Sequence, residues 1–309
     1  DGKIIEDLGM KKYDFWAISC IQGKEPHRPR MRALPGPGSG EAFLPQAPHA
    51  DRGGKRPGRV RDEDLDPPPA GHAQPPRQPL TGRREVKTQI SSMQELDEYS
   101  AVLSAIAAAA REQELPVGTV LAEYGPGQFE VNLHHVDDPL LACDHAIRLK
   151  RLVKGVALQH GMEATFMPKP YRDHAGSGAH LHVSVLDTQG RSIFAAEDPA
   201  GSELLRHAIG GLAATMNDAI AICAPTANSY RRFQPEAYVP LNPSWSVNNR
   251  GVAFRVPHGP PASRRVEHRI AGADANPYLL ASIVLAGMHL GLTRRLDPGP
   301  VLAGNAYRD

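Results

Sequence analysis

Apolar positions at Leu96, Tyr99, Leu103 and Ile106 recur at helical spacing on an Ala-rich background, which predicts a helix over residues 93–113. Two runs with strand patterning follow, 118–123 and 128–133. Gly125, Pro126 and Gly127 between them supply the chemistry of a tight turn, so the pair reads as a hairpin. Asp138-Pro139 opens a second helix that runs to about residue 160, with Gly161 as its stop. Residues 162–167 read as a strand. A further strand over 179–187 closes in the turn Asp187-Thr-Gln-Gly190, a helix covers 202–222, short strands cover 252–256 and 266–270, and a last helix covers 276–292. Closely spaced short strands with helices between and after them favour an α+β plan, an antiparallel sheet with flanking helices, over a regular βαβ succession.

The rhythm is absent from residues 24–80, which hold 13 of the 29 prolines and 7 glycines but only six Leu, Ile, Val or Phe. So little apolar surface does not offset the entropy of ordering the segment. It reads as a disordered linker or as out-of-frame translation of a GC-rich gene. Within it, Gly36-Pro-Gly-Ser-Gly40 lacks the flanking strand, the Gly-Lys-Ser/Thr and the helix of a phosphate loop. The expected division is an atypical Pro/Gly/Arg-rich segment at 1–80 and a globular domain at 81–309. The full 309 residues are long enough for a sizeable core.

A formal net charge of +1 gives no field that would select nucleic acid. Cys20, Cys143 and Cys223 lie far apart without a C-x-x-C pair, which fits a reducing, cytoplasmic setting. The longest apolar run, 279–292, is interrupted by Gly287 and His289 and falls short of the ~20 residues of a membrane span. No membrane association and no signal peptide are expected.

Candidate chemistry comes from ionisable residues on the strand candidates. Side chains two apart on a strand share a face, so His180, His182 and Ser184 lie together opposite Leu181 and Val183. The same rule groups Arg265, Glu267 and Arg269, while the hairpin contributes Glu123 and Glu130, one from each arm. Carboxylates with one or two imidazoles suit a divalent cation such as Mg²⁺ or Mn²⁺. Arginines beside them suit phosphate and carboxylate oxygens. For any one strand the plain alternative is a solvated outer face. Arg232, Arg250, Arg255, Arg265 and Arg269 together make an arginine density beyond such a face and point to phosphoryl transfer.

These residues carry a family resemblance. Glu123-Tyr-Gly-Pro-Gly-Gln-Phe-Glu130, Gly176-Ser-Gly-Ala-His180-Leu-His182-Val-Ser184, Asn228-Ser-Tyr-Arg-Arg232, Asn249-Arg250 and Arg265-Val-Glu267-His-Arg269, followed by Asn276-Pro-Tyr278, occur in the order seen in the glutamine synthetase family. From about residue 81 to 295 the chain resembles that family's catalytic domain, especially the branch that includes γ-glutamylpolyamine synthetases. The resemblance implies an ATP-dependent ligase of nitrogen metabolism, glutamine biosynthesis being its best-known role, in a cytoplasmic homo-oligomer. The γ-phosphoryl of ATP would pass to glutamate, and ammonia or an alkyl amine or polyamine would displace phosphate from γ-glutamyl phosphate. It implies that Glu123 and Glu130 hold one Mg²⁺ or Mn²⁺, and His180 and Glu267 a second. His182, Ser184 and Arg265 would lie along the nucleotide. Gly176, Arg232 and Arg269 would bind glutamate, and Arg250 and Arg255 would neutralise the phosphoryl group in flight.

The chain departs from the family pattern in two places. The acidic Glu-x-Glu strand and small N-terminal β domain that the family places earlier are not recognisable in residues 1–80, where the nearest acidic cluster is Asp62-Glu63-Asp64. The flap glutamate that typical members use near ammonium aligns with Tyr238, with Glu236 two residues earlier; either Glu236 substitutes or the acceptor is an amine, the reading preferred here. A second overall reading is a truncated or frameshifted member that binds nucleotide or partner subunits without turnover; an ATP-dependent guanidino-type kinase is a weaker third. His134-His135 read as loop histidines, Trp245 and Tyr230 as packing aromatics with adenine stacking as the alternative, and Cys143 and Cys223 as small core residues.

Overall fold

The computed structural model describes residues 13–15 (backbone only), 75–84 and 90–308. Cys20, the Gly36–Gly40 run and the Asp62–Asp64 cluster lie outside the described residues. A five-stranded sheet has the order β1 (Tyr13–Phe15), β4 (Leu181–Val183), β7 (Val266–His268), β6 (Phe254–Val256) and β5 (Trp245–Val247). Its pairings are antiparallel except β5–β6, which is parallel. The hairpin β2 (Val117–Ala122) and β3 (Phe129–Leu133) is a separate two-stranded sheet whose turn includes Gly127 at φ +69°. The expected antiparallel α+β plan is therefore observed, with one parallel edge.

The predicted first helix is two: α1 (Met93–Glu98) and α2 (Ser100–Glu112) meet at Tyr99, whose φ/ψ of −102°/11° lies off the helical basin. Tyr99 is nevertheless buried, packed edge-on against Phe129 at 5.0 Å, so tertiary packing outweighs helix continuity there. Helix α3 (Pro139–Gln159) starts as its sequence demands, Asp138 accepting from the amides of Leu140 and Leu141, and Gly161 follows its end at φ +69°. Residues 162–167 alternate, with Met162, Ala164 and Phe166 buried, yet form no strand among the described residues; the alternation packs the segment against a core. The 179–187 strand shrinks to β4, and β5 went unforeseen because its three residues present little periodicity.

Helices α4 (Glu203–Cys223) and α5 (Pro277–Arg294) cover one sheet face, and Leu181, Val183, Phe254, Val256 and Val266 pack beneath them. A Cβ at Gly211 would fall on the Gly287 carbonyl oxygen, and one at Gly291 on that of His207, so these glycines let the two backbones touch. A second core joins α1, α2, α3 and the hairpin. Helix α3 serves both, with Ala142 and Cys143 in the first and Leu149 and Val153 in the second. No helix among the described residues is long and apolar enough to cross a membrane. Gln78, Leu80 and Thr81, on both sides of the expected boundary at residue 80, bond to Glu95 and Glu98 of α1.

Candidate active site

Strand register builds the site. His182 lies opposite Glu267, Glu267 opposite Arg255, and the row extends outward to Asp14 on β1 and Ser246 on β5. The β1 strand thus occupies the edge beside β4, but Tyr13-Asp14-Phe15 is not a Glu-x-Glu sequence. Apolar residues of the same strands fill the opposite face, leaving this face to ionisable groups. The face is not solvated: Glu267 is 2% exposed, Arg269 3% and His182 6%.

Glu267 is its hub. One oxygen accepts from Arg269 and lies 3.2 Å from His180 Nδ1, and the other accepts from Arg255 Nη1 at 2.5 Å. Arg265 Nε donates to His182 Nδ1 at 3.0 Å. Burial would raise the Glu267 carboxyl, but His182, the hydrogen bond with His180 and the Arg269 guanidinium outweigh it and hold the group well below the usual carboxylate range. Burial, reinforced by guanidinium neighbours, pushes His180 and His182 down to about 3, so both are neutral at pH 7; His180, with Nδ1 toward Glu267, keeps its Nε2 lone pair for a ligand, whereas the His182 Nδ1 lone pair is taken by Arg265.

On the hairpin, Glu123 is pushed up to about 8 by burial and by its hydrogen bond to Glu130, with Arg250 opposing. The two hydrogen-bonded carboxylates form a donor pair that a hard cation would satisfy. The described residues bring no third His, Cys, Asp or Glu to it, and no group of three or more such side chains arranged to hold a metal occurs among them. The donor type of Glu123 and Glu130 fits a divalent cation. At His180 and Glu267 a cation must compete with two guanidinium groups already on the carboxylate.

Arg250 links the two clusters, since its charge acts on both Glu123 and Arg269, and its carbonyl accepts from Arg269 Nε at 3.1 Å. Gln128 Nε2 donates to the Gly176 carbonyl at 3.2 Å and ties the hairpin to the loop before β4. Arg232, 2% exposed, lies against that loop: a Cβ at Gly176 would come within 2.9 Å of its Cγ, and one at Gly178 within 2.9 Å of its Nη2. Ser184 and Arg265 line a cavity of about 560 Å³, together with His135, Arg191 and Ser263. All twelve expected site residues thus fall in one continuous region.

Sequence reasoning missed His135 and Arg191 in this cavity wall. The Asp187 turn that holds Arg191 through 2.8 Å bonds was legible, but its nearness to Arg265 was not. Trp245 is buried with Nε1 on the Gly299 carbonyl at 3.0 Å, so it packs the core, whereas Tyr230 is 51% exposed. Cys143 and Cys223 are buried with thiols pushed up to about 12, chiefly by burial. Glu236 bonds Arg308 at 2.6 Å, while Tyr238 stacks on Tyr124 with centroids 5.4 Å apart.

Known proteins resemble this arrangement. Over 235 residues the chain is 45% identical to γ-glutamylputrescine synthetase PuuA of Escherichia coli (strain K12), covering 76% of this chain and 50% of the relative. Over 190 residues it is 40% identical to glutamate–isopropylamine ligase of Pseudomonas sp, covering 60% and 41%. The chain spans half or less of the length of these relatives. The solved GmaS/ADP complex superposes with a TM-score of 0.67 at 28% identity, over 72% of this chain and 53% of that one. Residues 60–309 match the family described as glutamine synthetase, catalytic domain, a family that typically uses divalent metal ions and ATP. With that match covering most of the chain, and with these relatives, the chain belongs to the glutamine synthetase family through its catalytic domain.

Proposed function

We propose that this chain carries the catalytic part of a cytoplasmic, homo-oligomeric ATP-dependent ligase that joins an amine or ammonia to the γ-carboxylate of glutamate. The observation that carries the reading is the buried row His182–Glu267–Arg255, flanked by Arg265 and Arg269, between the 560 Å³ cavity and the carboxylate pair. The catalytic unit is residues 81–309, to which β1 adds an edge strand and residues 78–80 add contacts with α1.

His182, Ser184 and Arg265 bind the nucleotide. Arg232, Arg269 and the Gly176 loop hold glutamate. A γ-carboxylate oxygen attacks the γ-phosphorus, the bond from phosphorus to the bridging oxygen of ADP breaks, and γ-glutamyl phosphate forms. Arg250 and Arg255 hold the negative charge of the transferring group, which in a buried face is worth far more than in water. The amine then attacks the acyl carbon, loses a proton and expels phosphate. Glu123 and Glu130 would hold a Mg²⁺ or Mn²⁺, and His180 and Glu267 would be the second donor set. Bound metal supplies charge neutralisation to the phosphates.

The flap favours an amine over ammonium. Glu236 is engaged by Arg308, and the Tyr124–Tyr238 stack puts aromatic surface next to Glu123. The names of the two relatives above refer to putrescine and isopropylamine, which supports the same reading. The rival reading, a defective member without turnover, draws on the two-carboxylate hairpin set.

The deciding experiment is γ-glutamyl hydroxamate formation from glutamate, ATP, Mg²⁺ and hydroxylamine. Product that vanishes in Glu267→Ala supports the ligase. No product from the unaltered chain supports the defective member.

A further inference from the structure

Arg232 ends a short 3₁₀ helix, Ser229–Arg232, that has little internal hydrogen bonding to hold it. Its start is held instead by a carboxylate outside the recognised motifs. Asp274 Oδ2 accepts from Ser229 Oγ at 2.5 Å and from Thr226 Oγ1 at 3.0 Å, and those two hydroxyls lie 2.8 Å apart. The Ser229 amide donates to Thr226 Oγ1 at 3.2 Å, so the turn entering the helix closes around the same carboxylate. At the other end, Arg232 Nη1 donates to the Ile270 carbonyl at 3.2 Å. Ile270 and Asp274 belong to one loop, which begins at Arg269 and leads into α5. Asp274 Oδ1 is buried without a hydrogen-bond partner among the described residues. It borders the space a Cβ would fill at Gly272, within 2.5 Å, and Arg232 Nη1 borders the same space within 3.4 Å.

We propose that Asp274 is a positioning residue for glutamate binding: by locking Thr226 and Ser229 it sets the spacing between Arg232 and Arg269. It touches no substrate. The inference rests on the reading of Arg232 and Arg269 as the glutamate clamp. Pinning both ends of the Arg232 helix to the Arg269 loop makes the two guanidinium groups one rigid fork, and loss of the pin lets that fork open. A misplacement of about 1 Å in such a clamp costs up to roughly a hundredfold.

The test is steady-state hydroxamate kinetics of the full chain, with glutamate and ATP varied separately, on the unaltered protein, Asp274→Ala, Asp274→Asn and Ser229→Ala. The expected result is a rise of about tenfold or more in glutamate KM for Asp274→Ala, with ATP KM unmoved. Asp274→Asn, which keeps an acceptor oxygen, recovers most of the loss. Ser229→Ala shifts glutamate KM in the same direction, and adding it to Asp274→Ala changes nothing further, because both break one network. Ser229→Ala leaves the carboxylate in place and so reports even where Asp274→Ala fails to fold. Unchanged glutamate KM in these variants overturns the positioning role while leaving the ligase intact, as does a parallel fall of every parameter with melting temperature. An unaltered chain that makes no hydroxamate and shows no glutamate binding by calorimetry overturns the functional reading, and the positioning role with it.

Discussion

Both oxygens of Glu267 are taken by arginines in a place closed to water, so removing the carboxylate leaves Arg255 and Arg269 facing each other across the sheet without compensation. Breaking a buried pair in this way costs about 3–5 kcal/mol. Glu267→Gln should lower stability by that order in urea unfolding, beyond any effect on activity. The pH dependence follows from the sign of the shift. The folded-state carboxyl is held below its unfolded value, so its contribution is present above the usual carboxylate range and is lost as the pH falls through the folded-state value. Glu267→Gln should therefore flatten the acid limb of the stability profile, read from melting temperatures across acidic buffers. An acid limb as steep as that of the unaltered chain would remove Glu267 from this role.

Pairs of elements, more than single ones, make the scaffold. The helices α4 and α5 meet through Gly211 and Gly291, where a Cβ would strike backbone oxygen and nitrogen, and through Gly287, where it would come within 2.9 Å of Thr215 Oγ1. Overpacking at such a crossing costs about 1–3 kcal/mol, and Gly211→Ala should show at least that loss in denaturant unfolding. Because the helices lie under β4, β6 and β7, the same change should disturb the register that aligns His182, Glu267 and Arg255. At this scale the sequence was most readable where a cap or turn residue declares itself. Asp138, Ser202 and Asn276 cap the helices they were expected to open. It was least readable where long-range packing decides, as in the break at Tyr99, the 162–167 segment that forms no strand among the described residues, and strand β5.

Across the whole molecule, residues 299–308 stitch the far edge of the sheet to the flap. The Leu302 amide donates to the Trp245 carbonyl at 2.9 Å, Ser246 Oγ to the Leu302 carbonyl at 2.7 Å, and Asn249 Nδ2 to the Gly304 carbonyl at 2.9 Å. Tyr307 then bonds the Val239 carbonyl at 3.2 Å, and Arg308 bonds Glu236. Deleting residues 297–309 should uncover the β5 edge, release the segments on either side of β5 that carry Glu236, Tyr238 and Arg250, and raise the amine KM more than the ATP KM. Faster limited proteolysis between residues 236 and 249 in the shortened chain would accompany this. Equal KM values and an unchanged cleavage pattern would show that the tail does not order the flap.

The sequence by itself determined the helices, the hairpin and which residue types share a strand face, because caps, turn glycines and period-two alternation are local and survive without neighbours. It also offered the candidate chemistry, since His180, His182, Glu267 and Arg269 stand in ordered motifs that resemble those of the glutamine synthetase family. Only the tertiary structure decided what that face meets. Burial of Glu267 among arginines, the reach of Arg250 to Glu123, the joining of Ser184 and Arg265 with His135 and Arg191 around one cavity, and the hold of Asp274 on the Arg232 helix all depend on residues distant in the chain. Register and desolvation set those contacts, and neither is written in the spacing of any one segment.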